Sequence, residues 1–308
     1  MANTFLKPEV INRTALMLLE REVVLPRLVW NYADAEFRGA KNDTVTLRLP
    51  ARLDANTYTF RNDRSSPITV DDVTETSVAV VLDKDYYSAV QVTDEQLTLD
   101  IVDFGEQVLS PQVKAVARGL EDLIATTLAG ADYATANEIS FQNSDNEMWA
   151  TLIQARKVLN DANVPREGRV LVVGSNIEAE MLNDDKFNRV DSAGPEATTA
   201  LREATINRLA GFTIVGSNAI DENAAYAFHP TAFAFVNVAP VVPDGVTYGS
   251  RMADGGLAMR WIRDYDPLYL RDRSVVNAFA GCSSVEDGIG DDADKQVRAV
   301  ALTFEATS

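Results

Sequence analysis

Cysteine and histidine are almost missing from this chain. Its 308 residues include one of each, Cys282 and His229. One cysteine excludes an internal disulfide and any cysteine-cluster metal site, and it reads as a small buried apolar residue. A lone histidine cannot build the common zinc sites, which take several His or Cys ligands. A Ser-His-Asp triad would depend on His229 itself, and no G-x-S-x-G elbow presents the serine. Long apolar runs are missing too: none approaches the roughly 20 residues that span a bilayer. The stretch from Thr14 to Leu19 is too short for the apolar region of a secretion signal, and Glu20 closes it. The expected location is therefore the cytosol, or something assembled there. Positive charge is scarce, with 28 Lys and Arg against 46 Asp and Glu and a net charge of −18. Nucleic-acid binding needs clustered cations to neutralise phosphates, so the chain as a whole would be repelled by a polyanion.

The remaining motifs of chemistry also fail. Gly211-Phe-Thr-Ile-Val-Gly216-Ser217 has phosphate-loop spacing but lacks the lysine, and its middle is apolar strand sequence. Asp291, Asp292 and Asp294 do not follow the calcium-loop pattern and read as a solvated acidic loop. Asp264 and Asp266 alternate in a strand, on one face with Arg260 and opposite Arg263, which predicts ion-paired strand faces. No catalytic, cofactor-binding or metal residue is assigned. The expectation is a protein that is not an enzyme and uses no cofactor.

What is present is organised around Pro111–Ala129. Ser110 suits an N-cap and Pro111 the first helical position. Val113, Val116, Ala117, Leu120, Leu123, Ile124, Thr127 and Leu128 recur at helical spacing, and Gly130 is a stop. At 1.5 Å per residue this makes a rod of roughly 28 Å, a spine between β-rich sequence before it and α/β sequence after it. Residues 1–41 read as an arm broken by Pro8 and Pro26. Residues 44–49 alternate as a strand, residues 50–68 are polar, and residues 69–82 return to strand with Val78, Val80 and Leu82 on one face. Together they predict a long hairpin, marginal alone in water and therefore lying on a partner. Thr93-Asp-Glu-Gln96 and Ser175-Asn-Ile-Glu178 match capping boxes. Residues 131–143 read as polar connectors. Further on, a helix with Met148, Leu152 and Leu159 ends near Ala162, and a buried strand follows at Arg169–Val173. Strands then follow over 209–216, 224–228 and 232–238, long β-type runs fill 256–281, and Val300, Leu302 and Phe304 alternate as a last strand.

Four stretches carry a resemblance: Met1–Trp30, Asp72–Val113, Ala155–Gly174 and Asn207–Asn218. In this order they resemble the major capsid proteins of tailed phages, the Hong Kong 97-type fold, and within it the gene-product-five coat proteins of short-tailed phages. The resemblance implies an α+β fold with an N-terminal arm (1–41), an extended E-loop hairpin (42–92) that lies across a neighbouring subunit, a peripheral (P) domain with its spine helix (93–143), an α/β axial (A) domain (144–248) and strands returning to the P domain (249–308). It implies a coat protein whose hexamers and pentamers close an icosahedral shell around double-stranded DNA without gripping it. A separate scaffolding protein and a portal are the implied partners, a decoration protein is an optional one, and assembly in the host cytoplasm is implied.

Three departures qualify it. Some relatives crosslink subunits through an E-loop lysine, whereas residues 50–83 hold no lysine, only Arg52, Arg61 and Arg64; no crosslinking is expected, and these arginines are the candidates for salt-bridging a neighbour. No long helical extension precedes the arm, so a fused scaffolding domain is not expected. There is no room for an inserted β-rich domain in residues 144–248. Two rivals stay open: an encapsulin-type compartment of the same fold, and an α/β enzyme or ligand-binding protein built on residues 144–248.

Overall fold

The computed structural model describes residues 23–32, 44–49, 53, 55–61, 64–73, 76–142, 147–183, 208–246, 248–254, 256–287 and 294–305. Thr14–Glu22, where the arm sequence suits a short helix, Gly194-Pro195, which marks a loop, and Asp291 and Asp292 lie outside them.

Strand β1 (Trp30–Tyr32), β2 (Thr44–Leu49), β3 (Thr76–Val81) and β4 (Lys84–Thr93) precede the helical spine. β2 and β3 form the predicted hairpin, with Thr44 opposite Val81 and Leu49 opposite Thr76. The second strand is shorter than the alternation over 69–82 predicts, because residues 64–73 pair with no strand among the described residues. Helix α1 (Asp94–Leu99) starts at the expected capping box. Thr93 Oγ1 accepts from the Gln96 N–H at 3.3 Å, and Gln96 Oε1 accepts from the Thr93 N–H at 3.2 Å.

Helix α2 (Ser110–Gly130) is the spine, but Ser110 is not its cap. A π-helical turn over Gly105–Leu109 runs directly into it, and Ser110 is itself helical, with φ −57°. The chain is turned into the helix by Asp103, whose Oδ1 accepts from the N–H groups of Gly105 (2.7 Å) and Glu106 (3.2 Å). The wide turn has a physical reason. Pro111 offers no N–H and its ring crowds the carbonyl one turn back, and a π-turn at that point opens the spacing.

The largest sheet is centred on β13 (Arg271–Ser284). β4 pairs along Arg271–Ala280. β12 (Leu257–Asp266) pairs with Arg271–Asn277, and β10 (Phe233–Val238) with Phe279–Ser284. A strand has two edges, so β12 and β10 share the edge away from β4, end to end. Buried Asn237 seals the junction: its Nδ2 donates to the Phe279 carbonyl at 3.1 Å, and its Oδ1 accepts from the Ala258 N–H. β1 runs parallel to β10 outside it, and β11 (Tyr248–Asp254) pairs with β12.

The second sheet runs β5 (Glu138–Gln142), β14 (Ala299–Glu305), β9 (Ala224–Phe228), β6 (Val170–Val173), β8 (Phe212–Gly216), β7 (Arg208–Leu209). β5 corrects the reading of 131–143 as connectors: Ile139 and Phe141 are buried beside β14, while Glu138, Ser140 and Gln142 face outward. The expected single strand over 209–216 is a hairpin, because Ala210 (φ 49°) and Gly211 (φ 91°) form a two-residue turn with both φ positive. Helices α3 (Glu147–Asp161) and α4 (Ser175–Asn183) cover one face, where Leu152, Leu159 and Ile177 meet Leu171, Val173 and Phe212. The capping-box reading of Ser175 is off by one: Gly174 precedes the helix and its carbonyl accepts from the Glu178 N–H. A side chain at Gly174 would come within 2.2 Å of the Asp221 carbonyl.

The other face of that sheet meets α2. Val116, Leu120, Ile124 and Leu128 share one core with Val170, Val172, Tyr226 and Phe228 from one sheet and Phe233, Phe235, Val276 and Ala278 from the other. β6 is therefore buried on both faces, which accounts for its unbroken Val-Leu-Val-Val. Two polar residues interrupt the buried stripe of α2. Gln112 donates to the carbonyls of Ser88 (3.0 Å) and Ser274 (2.9 Å), joining the spine to β4 and β13. Gly119 gives room to the Tyr86 ring of β4, which a Cβ would approach to 2.8 Å.

Candidate assembly surfaces

The second polar residue on the buried face is Glu121, fully buried. Its Oε1 accepts from the N–H of Val24 at 2.8 Å and of Leu25 at 3.2 Å. These two N–H groups begin a single 3-10 turn, Leu25–Arg27, which Pro26 favours by fixing φ. Leu25 and Val29 then enter the common core. The end of the arm is thus held by one carboxylate on the spine, and β1 continues from it onto β10.

The hairpin is anchored at its base and bare at its end. Val80 is buried with Ala234 and Val236, and Val45, Leu47 and Leu82 pack around them. Gly281 lets the backbone of Val81 pass: a Cβ there would lie 2.1 Å from the Val81 carbonyl oxygen. Beyond the paired strands, contacts within the segment help to organise it. Tyr58 Oη donates to the Ser66 carbonyl at 2.6 Å, and Asn56 donates to Asp71 at 2.5 Å. Phe60 is 86% exposed and Val70 81%, and Leu53, Ile68 and Val73 are exposed as well. Of the three predicted contact residues, Arg52 lies outside the described residues. Arg61 and Arg64 are exposed, sit at positive φ (59° and 55°), and lie over the rings of Phe60 and Tyr58 at 5.4 and 5.5 Å.

The carboxylates read as strand-face ion pairs are paired across β12 and β13. Asp264 meets Arg273, Asp266 meets Arg271 at 3.9 Å, and Arg263 donates from Nε to Asp272 at 3.0 Å. The partners Arg271 and Arg273 lie on the next strand and could be found only with the register in hand. Arg260 instead donates to Asn277 at 3.0 Å.

A groove of about 670 Å³ opens where β1, β2 and the α3–β6 connection meet, lined by Trp30, Leu47, Arg48, Val164, His229 and Arg298 among others. His229 shares a hydrogen bond with Thr231 Oγ1 at 2.8 Å, and Arg298 donates to the same oxygen at 3.1 Å. Burial, then the nearby Arg298 and Arg169, hold the imidazole below its ordinary titration range. Arg298 is also paired with Asp287, Nε to Oδ1 at 2.9 Å. Arg169 is 3% exposed, yet its donors reach only neutral oxygens: the carbonyls of Val164 (2.7 Å) and Pro165 (2.8 Å) and Asn160 Oδ1 (2.9 Å). It ties the connection after α3 to Asn160 near the end of that helix. Cys282 is partly buried, and burial pushes its thiol up to about 11, so it is not poised as a nucleophile. Among the described residues there is no group of three or more His, Cys, Asp or Glu able to hold a metal.

The mixed helix-and-sheet fold is that of phage capsid subunits of the Hong Kong 97 type. Solved phage structures share the fold. One titled Mycobacterium phage Che8 matches with TM-score 0.64 and 20% identity over 98% of each chain. The capsid of cyanophage P-SCSP1u gives 0.70 at 12% identity, covering 96% of this chain and 92% of that one. The mature capsid of bacteriophage PhiM1 gives 0.62 at 10%, covering 92% and 87%. No curated protein matches the chain. Residues 75–278 match the family described as phage capsid protein. The chain belongs to that family: it is a major capsid protein, a structural protein that self-assembles into the shell of a tailed phage.

Proposed function

We propose that the chain builds its shell as hexamers and pentamers, with a division of labour along residues 1–41 (arm), 42–92 (hairpin), 93–143 and 249–308 (peripheral domain) and 144–248 (axial domain). The observation that carries this reading is the hairpin, rigidly seated at Val80 and Gly281 yet exposing Phe60, Ile68, Val70 and Val73. Apolar side chains held away from their own core are covered when a neighbouring subunit supplies the surface. Arg52, Arg61 and Arg64 pair with that neighbour's carboxylates. Head-to-tail contacts of this kind close into rings when the rotation permits. Assembly takes place in the host cytoplasm with a scaffolding protein and a portal, and the DNA is enclosed without specific binding. The subunit performs no catalysis, and with no lysine in residues 50–83 the shell is not crosslinked there.

The test is negative-stain electron microscopy of the chain expressed with its upstream neighbouring gene. Closed shells or capsomer sheets are expected, and a stable monomer under every salt and scaffolding condition would overturn the proposal. Denaturing gels of particles should show one subunit band; a ladder would refute the absence of crosslinks.

A further inference from the structure

The groove beside β2 is out of character with the rest of this chain. The protein carries −18 charges, yet among the described residues none of the side chains lining the groove is acidic, while Arg48, His229 and Arg298 are among them. Asp287 neutralises Arg298. Arg48 is exposed at the rim, and no carboxylate is bonded to it among the described residues. Behind the wall sits Arg169, a buried guanidinium satisfied only by neutral oxygens. Its field is poorly screened there. The floor is apolar and deeply buried: Phe233, Ala234, Val164 and Val285. Two strands border it with one unpaired edge each, since β1 pairs only with β10 and β2 only with β3 among the described residues. Apolar floor, cationic rim and open strand edges together suit an extended segment with apolar and acidic side chains.

The same chain exposes such a segment. Residues 67–73 read Pro-Ile-Thr-Val-Asp-Asp-Val. They form no helix and pair with no strand among the described residues. Ile68, Val70 and Val73 are 65%, 81% and 65% exposed, and Asp71 and Asp72 are exposed beside them. We propose that residues 67–73 of one subunit dock into the groove of a second copy, with Ile68 and Val70 on the floor and Asp72 facing Arg48. The inference rests on the shell-assembly reading and adds the receiving site to it.

The test uses particles assembled from equal amounts of unlabelled and 15N-labelled subunits carrying Thr46→Cys and Cys282→Ala, with a benzophenone attached to the introduced thiol. Thr46 lines the groove and is exposed, so the probe reports what enters it. After irradiation, peptide mapping should recover the residue-46 peptide joined to the peptide holding residues 67–73, half of the pairs being mixed light and heavy. Particles whose cross-links join only same-label peptides, reach another segment or another protein, or fail to form would overturn the docking while leaving the shell reading intact. If the unaltered chain makes no particles, both fall. A second measurement does not need the probe. Arg48→Asp and Asp72→Arg should each cut particle yield roughly tenfold at low salt, with recovery in the double variant; equal yields in all four proteins would refute the pairing.

Discussion

Replacing Glu121 by alanine isolates the clamp that fixes the arm. The carboxylate is fully buried and one of its oxygens receives two backbone N–H groups, from Val24 and Leu25. Alanine leaves both N–H groups without this acceptor, that of Leu25 buried and that of Val24 partly buried. Each unsatisfied buried donor costs about 1–3 kcal/mol, so the loss is about 3 kcal/mol. Unfolding entropy near 2.1 cal/mol/K per residue gives about 0.65 kcal/mol/K for a chain of this length, so Tm should fall by about 5 °C. Glu121→Gln keeps a carbonyl oxygen in the same place and should cost only about 1 kcal/mol.

The assay is a pair of measurements on unassembled subunits: a calorimetric melt, and hydrogen exchange resolved to residues 23–32. Exchange at Val24 and Leu25 should accelerate in Glu121→Ala and stay close to wild type in Glu121→Gln. A melt within about 1 °C of wild type together with unchanged exchange would refute the idea that this carboxylate carries the arm.

Gly281→Ala puts a methyl group 2.1 Å from the Val81 carbonyl oxygen; overpacking of this kind costs about 1–3 kcal/mol and should appear as a lower melting point and proteolytic cleavage at the hairpin base, which wild-type-like digestion would contradict. Arg52→Ala, Arg61→Ala and Arg64→Ala combined should reduce particle yield while the subunit Tm stays within about 1 °C, because exposed charges contribute little to the fold; normal yield would sink the contact role. His229 takes up its proton at lower pH folded than unfolded, since burial, Arg298 and Arg169 disfavour the imidazolium. The unfolded chain therefore binds the proton first as pH falls below the ordinary 6.5, and stability drops through that window. His229→Gln should lose less stability than wild type between pH 7.5 and 5.5 in urea titrations, and parallel losses would refute it.

Most strands were legible because one face is buried and the other is not. The alternation in Thr44–Leu49 and Val78–Leu82 is the visible form of Val45, Leu47, Val80 and Leu82 packing over β10. The spine stripe was legible for the same reason at helical period. Glu121 and Gln112 were not, because each is justified only by partners far along the chain, Val24 and Leu25 in one case and Ser274 in the other. Ser110-Pro111 misled for the opposite reason: the local cap signal is strong, but Asp103 opens the helix earlier and a π-turn absorbs the proline. Within Glu138–Gln142 only Ile139 and Phe141 are apolar, too few to stand out until β14 is beside them. The groove had no sequence signature at all, since Arg48, Val164, His229 and Arg298 come from four separate elements.

The hairpin also bears on how tightly subunits associate. Leu53, Phe60, Ile68, Val70 and Val73 are each more than half exposed, from 58% to 86%. Full burial is worth about 1.5–3 kcal/mol per side chain, so one docked hairpin gains roughly 10 kcal/mol. Fixing one subunit on another costs about 4–15 kcal/mol, and two bodies of charge −18 repel besides. A single hairpin contact therefore nets close to zero. In a closed ring each subunit both gives and receives a hairpin, while the last closure orders no new body. Association should be all-or-none in concentration: light scattering on purified subunits should stay at the monomer value below a threshold and rise steeply above it, the threshold falling as salt screens the charge. A gradual population of dimers and trimers, insensitive to salt, would show instead that one contact suffices by itself.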